Sequence, residues 1–448
     1  MLFRLALLFS ILHFANCQDD FRIAPSDGSV RADKSHVMHP PASFGPVTSL
    51  PLYGPIRGVQ HSGYVQVNAQ FNSNIFYWMV EASESAPANA PLLLWFQGGP
   101  GSSSIDVGFF FEHGPFLFDT KNGRPVDNPT SWHHLAHVLY IDQPAGTGFS
   151  YTDSNDGFAK TLDDVANDIH TFITLFLKRY PQYAKLDLYV CGESYGGKYV
   201  PAISARLGQD ASLNLKGLCI ADGWSHPPSQ LPPYTTVALI NGLIDENTKK
   251  SYDKVYDQCL TLVEQGKWHD AALLCDPTFW SLRNATGSVN PYDIRAYGNY
   301  DFDPIDRYLK RNDTMAAIHA NHPFGSTAEQ VGQAIHDDFC QSVRPLLASL
   351  VERYQVLVYQ GQFDLIVTTA GVLDLYWNLP WSGQAAYQRA PRVVWQGTDR
   401  AMAGYVKQAA NFTLVEVCGA GHMVPLDQPT HAFELIKRFL YNIPWPTH

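Results

Sequence analysis

The stretch that most constrains the fold of this chain is LYVCGESYGGKYVP, from Leu188 to Pro201. The apolar run Leu188 to Cys191 predicts a buried strand, and apolar residues at helical spacing from Tyr199 to Leu207 predict a helix. Between them Ser194 sits in a Gly-x-Ser-x-Gly pattern. A strand, a tight turn and a helix in this order expose a serine at the carboxyl end of a sheet, because the glycines let strand and helix approach closely. The pattern alone is common by chance, so a glycine-rich turn without chemistry is the alternative, and the partners of Ser194 must decide.

A nucleophilic serine needs an imidazole to accept its proton and a carboxylate to orient that imidazole. On this type of turn the order along the chain is serine, acid, histidine. His422 lies in a glycine-flanked loop directly after an apolar strand, and Asp364 follows the strand VLVYQGQF. Two other acids are weaker candidates, because Asp374 falls within a helical pattern and Asp427 lies beyond the loop of His422. We therefore predict Ser194, Asp364 and His422 as a catalytic triad.

The segment WFQGGPGSSS predicts the second part of such a site, an oxyanion hole. Gly98 and Gly99 follow the strand LLLWF, so their backbone amides are free of bulky side chains and can approach a substrate. The amide of Tyr195, which follows the nucleophile, is the other candidate donor. A glycine-proline turn with no catalytic part is the alternative interpretation.

The order of apolar strands and helical patterns predicts a mostly parallel sheet covered by helices on both faces. Changes in composition and in apolar pattern divide the chain into a leader at 1–17, an N-terminal arm at 18–50, a core at 51–224 and 346–448, and an inserted, mainly helical cap at 225–345.

The N-terminus indicates secretion, since Arg4 precedes a short apolar run and small residues, as in a cleaved signal peptide. No later run is long and apolar enough to span a bilayer, and the net charge of −11 argues against nucleic acid as a partner. We find no spacing typical of a metal site, and the pair His133 and His134 is interpreted as ordinary loop chemistry. Among six mature cysteines the best disulfide candidate is Cys259 with Cys275, whereas Cys191, Cys219 and Cys418 fit buried free thiols. Three glycosylation sequons also fit secretion: Asn284, Asn312 and Asn411.

Six ordered motifs together resemble the serine carboxypeptidase family, and most closely its vitellogenic carboxypeptidase-like subgroup: WFQGGPGSSS, EHGPF, DQPAGTGFSY, GESYGGKYVPA, GQFDLIV and GAGHMVP. The resemblance implies an α/β-hydrolase fold, no cofactor, peptide or protein C-termini as substrates, and a lysosomal or extracellular location. A homodimer is an assembly that it allows.

The resemblance also implies roles for particular residues. Gly99 and Tyr195 would supply the oxyanion-hole amides, and Met423 would line a substrate side-chain pocket. The residues that bind the terminal carboxylate of the substrate would be Gln97, Gly98, Glu112 and Glu193. The chain departs from the family pattern at Ser102, where many members have cysteine, and at Gln97, where many have asparagine.

Two ionised glutamates would repel a carboxylate by about 4 kcal/mol per contact at 4 Å and an effective dielectric near 20. Glu112 and Glu193 must therefore be protonated to bind one, which burial favours and which predicts activity in acid. Two alternatives remain at this point. One is an acyltransferase or esterase on the same scaffold, and the other is a secreted binding protein with an inactive hydrolase fold.

Overall fold

The computed structural model describes residues 43–325 and 327–445, so the predicted leader and residues 18–42 lie outside the described residues. The strands in these ranges are, in chain order, β1 Phe44–Pro46, β2 Ser49–Leu50, β3 Gly54–Pro55, β4 Gln60–Asn68, β5 Ser73–Val80, β6 Leu92–Phe96, β7 Phe116–Asp119, β8 Arg124–Asp127, β9 His137–Ile141, β10 Leu188–Glu193, β11 Leu215–Ala221, β12 Gln355–Gly361, β13 Val393–Gln396, β14 Met402–Ala409 and β15 Phe412–Val417.

Eleven of these strands form one sheet, in the order β1-β4-β5-β9-β6-β10-β11-β12-β15-β14-β13. The six central strands, from β9 to β15, are parallel to one another. The strands outside them pair antiparallel on both edges, as the sequence segments HSGYVQVN and SNIFYWMVEAS, which read as antiparallel strands, predict for the β4–β5 edge. The reason is local, because β4–β5 and β14–β15 are joined by turns of a few residues, and such short connections allow only antiparallel pairing.

The helices pack on the sheet and form most of the segment between β11 and β12. The α-helices are α1 Leu162–Arg179, α2 Gly196–Leu207, α3 Pro227–Gln230, α4 Pro233–Ile240, α5 Glu246–Glu264, α6 Trp268–Ala285, α7 Asp303–Leu309, α8 Asn312–Ala317, α9 Ala328–Ala334, α10 Arg344–Val351, α11 Thr369–Trp377, α12 Gln384–Arg389, α13 Val424–Asp427 and α14 Pro429–Leu440. A π-helix spans Ile105–Glu112, and single 3-10 turns span Trp132–His134, Asn155–Gly157, Pro181–Tyr183 and His336–Asp338.

Two hydrophobic cores lie on opposite faces of the sheet. On one face α1 and α2 pack buried residues such as Phe172 and Ile203 against the strands. On the other face α14 and the π-helix contribute residues such as Leu435 and Phe109. Helix α1 starts with a reciprocal capping box at Thr161, which satisfies amides that have no partner inside the helix. The predicted arrangement of helices on both faces is therefore confirmed.

The divisions of the chain differ in detail from the predicted ones. Strand β1 pairs with β4, so the last residues of the predicted arm belong to the sheet. The segment 225–345 is mainly helical, and its predicted end falls inside α10. Among the described residues no helix combines the length and the apolar character that crossing a membrane requires.

Candidate active site

Ser194 lies on the turn between β10 and α2, in the strand, turn and helix order that the sequence predicts. Its φ of +62° is in the left-handed region, which a residue other than glycine rarely adopts. The turn is fixed by its backbone, because Ser194 donates to the carbonyl of Ala221 (3.0 Å) and its own carbonyl accepts from Gly197 and Trp224 (both 2.8 Å). This geometry lifts the serine side chain away from the sheet.

The two glycines that flank Ser194 are required by the neighbouring strand β6. A Cβ atom on Gly192 would lie 2.6 Å from the carbonyl oxygen of Phe96, and one on Gly196 would lie 3.1 Å from the same atom. Both distances are shorter than ordinary van der Waals contact. The Gly-x-Ser-x-Gly pattern therefore reflects the close packing of the turn against β6.

Asp364 and His422 form a buried pair at the carboxyl ends of β12 and β15. Nδ1 of His422 lies 2.6 Å from Oδ2 of Asp364, and both side chains are almost fully buried. Oδ1 of Asp364 accepts from the amide of Val367 at 3.0 Å, which fixes the carboxylate from its other side. In this arrangement a carboxylate holds the imidazole through one nitrogen and leaves the other, Nε2, for proton transfer.

The two other candidate acids, Asp374 and Asp427, form their hydrogen bonds with other groups. Asp374 accepts from the hydroxyl of Ser229 at 2.6 Å, on a helix away from the imidazole. Asp427 accepts from the amide of Gly421 at 2.6 Å and therefore stabilises the loop that carries His422 rather than its ring. Of the three acids, Asp364 is the one bonded to the imidazole.

Ser194 and His422 share one edge of the sheet, because each follows a strand of the parallel centre. Nε2 of His422 is buried and makes no hydrogen bond with the described residues, so the serine and the imidazole are not bonded in this state. Free enzymes often have such a contact long or poorly aligned until substrate binds. Burial lowers the pKa of His422, but the charge and hydrogen bond of Asp364 and the charge of Glu193 outweigh it, and the net pKa is raised.

The predicted oxyanion donors lie against Ser194. A Cβ atom on Gly98 would lie 2.4 Å from the amide nitrogen of Tyr195 and 2.7 Å from Cβ of Ser194, so position 98 has no room for a side chain. Gly99 has a φ of +106°, which glycine alone adopts easily. Gly99, Ser194 and Tyr195 border one cavity of about 90 Å³.

Aromatic side chains from the core and the cap complete this cavity, which sequence reasoning did not identify. The additional lining residues are Trp224, Leu231, Tyr234, Cys275, Asp276, Phe279, Trp280, Phe339, Ile366 and Val367. Trp224 lies three residues after the end of β11, in the same position as Asp364 relative to β12, and could have been found by the same rule. The cap residues gave no such signal, because their approach depends on tertiary packing. Met423 is buried next to His422 and does not line this cavity.

The four residues expected to bind a carboxylate meet on the same side of the sheet. Gln97 donates through Nε2 to Oε1 of Glu193 at 2.8 Å and accepts from Nε1 of Trp95 at 3.1 Å. These two contacts fix which end of the Gln97 amide is the oxygen and which is the nitrogen. Both ends have partners, so the site accepts glutamine at the position where many family members have asparagine. Glu112 and Glu193 are in hydrogen-bonding contact and are 2% and 1% exposed.

Two carboxyl groups in contact require at least one proton between them. Burial raises the pKa of Glu193 to about 7, although the charge of His422 and the hydrogen bond from Gln97 oppose the rise. Burial and then the charge of Glu193 raise the pKa of Glu112 well above its usual range. Glu112 is therefore the proton donor of the pair, and Glu193 is the member that titrates near neutrality.

The predicted disulfide is absent, since Cys259 and Cys275 are free thiols in the structure. Packing of α5 against α6 does bring these two thiols into hydrogen-bonding contact, but Cys340 contacts Cys275 as well. The sequence pattern gave no sign of the third thiol, Cys340. Cys191 and Cys219 are buried and free, as predicted.

The three predicted glycosylation sites are exposed, whereas Asn128, which Pro129 excludes from the sequon pattern, is buried. The side chains of Asn284, Asn312 and Asn411 are exposed. Asn128, where proline follows, is buried and donates to the carbonyl of Gly114 at 2.9 Å.

An elbow serine, an acid–imidazole pair and glycine amides at the carboxyl edge of a parallel sheet define an α/β hydrolase of the serine type. The model of the family described as serine carboxypeptidase matches residues 51–442, and the chain belongs to that family. It is a serine carboxypeptidase, and the predicted family and enzyme class are confirmed.

Individual proteins show the same likeness. The chain is 36% identical over 417 residues to the probable serine carboxypeptidase CPVL of Homo sapiens, with 88% of this chain and 87% of that protein covered. It is 35% identical over 397 residues to the vitellogenic carboxypeptidase of Aedes aegypti, covering 85% and 83%. The crystal structure of Kex1Δp, a prohormone-processing carboxypeptidase from Saccharomyces cerevisiae, matches with a TM-score of 0.77 and 25% identity, covering 87% of this chain and 93% of that one. These relatives agree with the predicted subgroup.

Proposed function

We propose that this carboxypeptidase releases C-terminal residues through an acyl-enzyme formed on Ser194, with His422 as the base and Asp364 as its partner, and that acid favours the reaction. The observation that carries the proposal is the buried 2.6 Å contact between Asp364 and His422 at the sheet edge where Ser194 also lies.

Acylation starts when Oγ of Ser194 attacks the carbonyl carbon of the last peptide bond. Its proton passes to Nε2 of His422, and the amides of Gly99 and Tyr195 stabilise the negative oxygen of the tetrahedral intermediate. Collapse breaks the C–N bond, and His422 returns the proton to the departing amino group. Water then attacks the ester on Ser194 with His422 again as base, and the shortened peptide leaves.

Specificity for a free C-terminus comes from the pair Glu112 and Glu193 together with Gln97. Below about pH 7 both glutamates carry protons, so the pair can donate hydrogen bonds to the carboxylate of the substrate. Protonation of Glu193 also removes one of the negative charges that raise the pKa of His422. The pKa of His422 is therefore lower when Glu193 is protonated, so less of the imidazole is protonated in acid than would be beside an ionised Glu193.

A secretory, lysosomal or extracellular location is part of this proposal. The leader of the sequence and the exposed sequons at Asn284, Asn312 and Asn411 support it. Burial raises the pKa of Asp142 to about 7. The folded state therefore gains stability from the protonated form of this acid below neutral pH, as a protein that works in acid requires.

The test uses N-blocked dipeptides that differ only in having a free C-terminal carboxylate or a C-terminal amide, assayed between about pH 4 and 8. We expect release of the free amino acid, fastest in acid, and no comparable attack on the amide. Ser194→Ala should lower turnover by at least about 10³-fold. Ser204→Ala is the matched control, since Ser204 is a buried serine on α2 whose hydroxyl has no hydrogen-bond partner within residues 43–325 and 327–445.

Two results would contradict the proposal. Activity of Ser194→Ala above a few per cent of wild type would remove Ser194 from the mechanism. Equal rates on the free acid and the amide would indicate an esterase or acyltransferase type of specificity instead of a carboxypeptidase.

A further inference from the structure

Asp222 is a buried acid next to the proposed triad and takes no part in the acyl transfer proposed above. It directly follows β11, the strand that lies between the strand of Ser194 and the strand of Asp364. Its side chain is fully buried, and its φ of +44° places the backbone in the left-handed region. A strained, buried acid at this edge of the sheet needs an explanation.

The backbone holds Asp222 firmly in this position. Its amide donates to the carbonyl of Tyr359 at 2.9 Å, and its Oδ1 accepts from the amide of Gly361 at 2.8 Å. Both partners belong to β12, three to five residues before Asp364. The carboxyl group is therefore fixed relative to the strand that carries the triad acid.

The second oxygen of Asp222 faces another carboxyl group. Oδ2 is buried, and no N–H or O–H group of the described residues is bonded to it. The side chain is in hydrogen-bonding contact with Asp364, and ligand atoms of Asp222, Asp364 and His422 all lie within 4.8 Å of one another. Two carboxyl oxygens in contact bond only if one of them carries a proton.

The charges around this contact decide which acid carries the proton. Asp364 accepts from His422 and from the amide of Val367, and both contacts favour its ionised form. Asp222 has one amide donor, while Asp364 and Glu193 act on it as negative groups and the hydroxyl of Tyr359 lies near. Burial first, and then the charge of Asp364, raises the pKa of Asp222 well above its usual range.

We propose that Asp222 is a positioning residue that stays protonated and donates a hydrogen bond from Oδ2 to Asp364. The bond orients the carboxylate of Asp364 and withdraws part of its negative charge. Asp364 then raises the pKa of His422 less than a carboxylate without this donor would. Asp222 so keeps more of the imidazole neutral in acid, where the enzyme is proposed to work. The inference rests on the proposed triad.

The groups that act on His422 must be separated in the test. The ring faces Asp364, Asp222 and Glu193, and the ring of Tyr292 from the cap lies 5.4 Å away. A blocked ester without a free carboxylate avoids any requirement for Glu112 and Glu193 to bind the substrate. The acid limb of kcat/KM on this ester then reports the pKa of His422 in the free enzyme.

The variants compare loss of the donor with its replacement. Asp222→Gly removes the donor without straining a left-handed backbone, and Asp222→Asn keeps an N–H donor in nearly the same place. We expect the acid limb of Asp222→Gly to move about one unit to higher pH, a tenfold loss of neutral His422 at a given acid pH. Asp222→Asn should move it by less than about a third of that. Asp168→Asn is the control, since burial raises the pKa of Asp168 to about 6 on a helix away from the triad.

Two outcomes overturn the proposal: an acid limb of Asp222→Gly at the wild-type position, or equal shifts in the glycine and asparagine variants. If the glycine variant does not fold, Asp222→Ser replaces it, because its hydroxyl is too short to reach Asp364. Asp364→Asn measured in parallel separates the two hypotheses. An active Asp364→Asn refutes the triad itself, whereas an inactive one with an unshifted Asp222→Gly refutes only the role of Asp222.

Discussion

Glu193 and Glu112 lie in one hydrogen-bonded pair, yet they should respond differently to the same substitution. Burial raises the pKa of Glu193 to about 7, whereas burial and then the charge of Glu193 raise the pKa of Glu112 well above its usual range. Between pH 5 and 8 the carboxylate site therefore gains one negative charge, and Glu193 carries it. Glu193→Gln should remove the pH dependence of binding, and Glu112→Gln should largely keep it.

The size of the effect follows from this pKa. If only the form with a protonated Glu193 binds a carboxylate, the apparent KM scales as one plus the ratio of ionised to protonated Glu193. At pH 5 this factor is about 1, and at pH 8 it is about 11, so KM should rise about tenfold. The repulsion of about 4 kcal/mol at 4 Å and an effective dielectric near 20 is large enough to make the ionised form a poor binder.

The assay measures KM and kcat for a blocked dipeptide and its matched ester from pH 5 to 8, on wild type and both glutamine variants. The ester serves as the internal control, since it has no carboxylate to be repelled. A KM that rises equally for peptide and ester, or a rise that persists in Glu193→Gln and vanishes in Glu112→Gln, would refute the assignment.

Three further predictions concern the triad, the oxyanion hole and stability. Asp364→Asn should lower kcat by about 10⁴-fold through the wrong imidazole tautomer, while Asp374→Asn should stay within about threefold; steady-state kinetics would reveal a reversed order. Gly98→Ala should lower kcat by at least about 10²-fold, because its Cβ would displace the amide of Tyr195, and an active alanine variant would contradict this. The free energy of unfolding should fall between pH 5 and 7. The pKa of Asp142 is raised to about 7, so the folded state binds more protons than the unfolded state, and this one group accounts for about 2 kcal/mol. A urea midpoint that rises with pH would contradict this prediction.

Much of the fold was predictable because its central strands are short, apolar and bounded by glycine or polar loops. The runs that become β6, β10, β12 and β15 each bury nearly every residue, and that is what a central parallel strand requires. The edge strands β13 and β14 were missed, since their residues alternate between burial and exposure and their pattern is weaker. The π-helix from Ile105 to Glu112 has no signature of its own in the sequence.

The grouping of Ser194, Asp364 and His422 was predictable for a related reason, because each residue follows a core strand and such loops gather at one edge of a parallel sheet. Asp222 satisfies the same rule, but a triad needs a single acid beside the imidazole and Asp364 already meets that need, so the rule alone gives Asp222 no role. Aromatic residues such as Phe279 and Trp280 approach the cavity only through packing of the cap, which no local pattern encodes. The third thiol near Cys275 was hidden for the same reason.

Covalent labelling shows whether Ser194 is the nucleophile of this carboxypeptidase. The protein would be incubated with an organophosphonate, digested, and mapped by mass spectrometry, with Ser194→Ala and Ser204→Ala treated in the same way. We expect one adduct, on Ser194, formed in step with loss of activity, present in Ser204→Ala and absent in Ser194→Ala. An adduct on another residue, or full loss of activity without modification of Ser194, would contradict it.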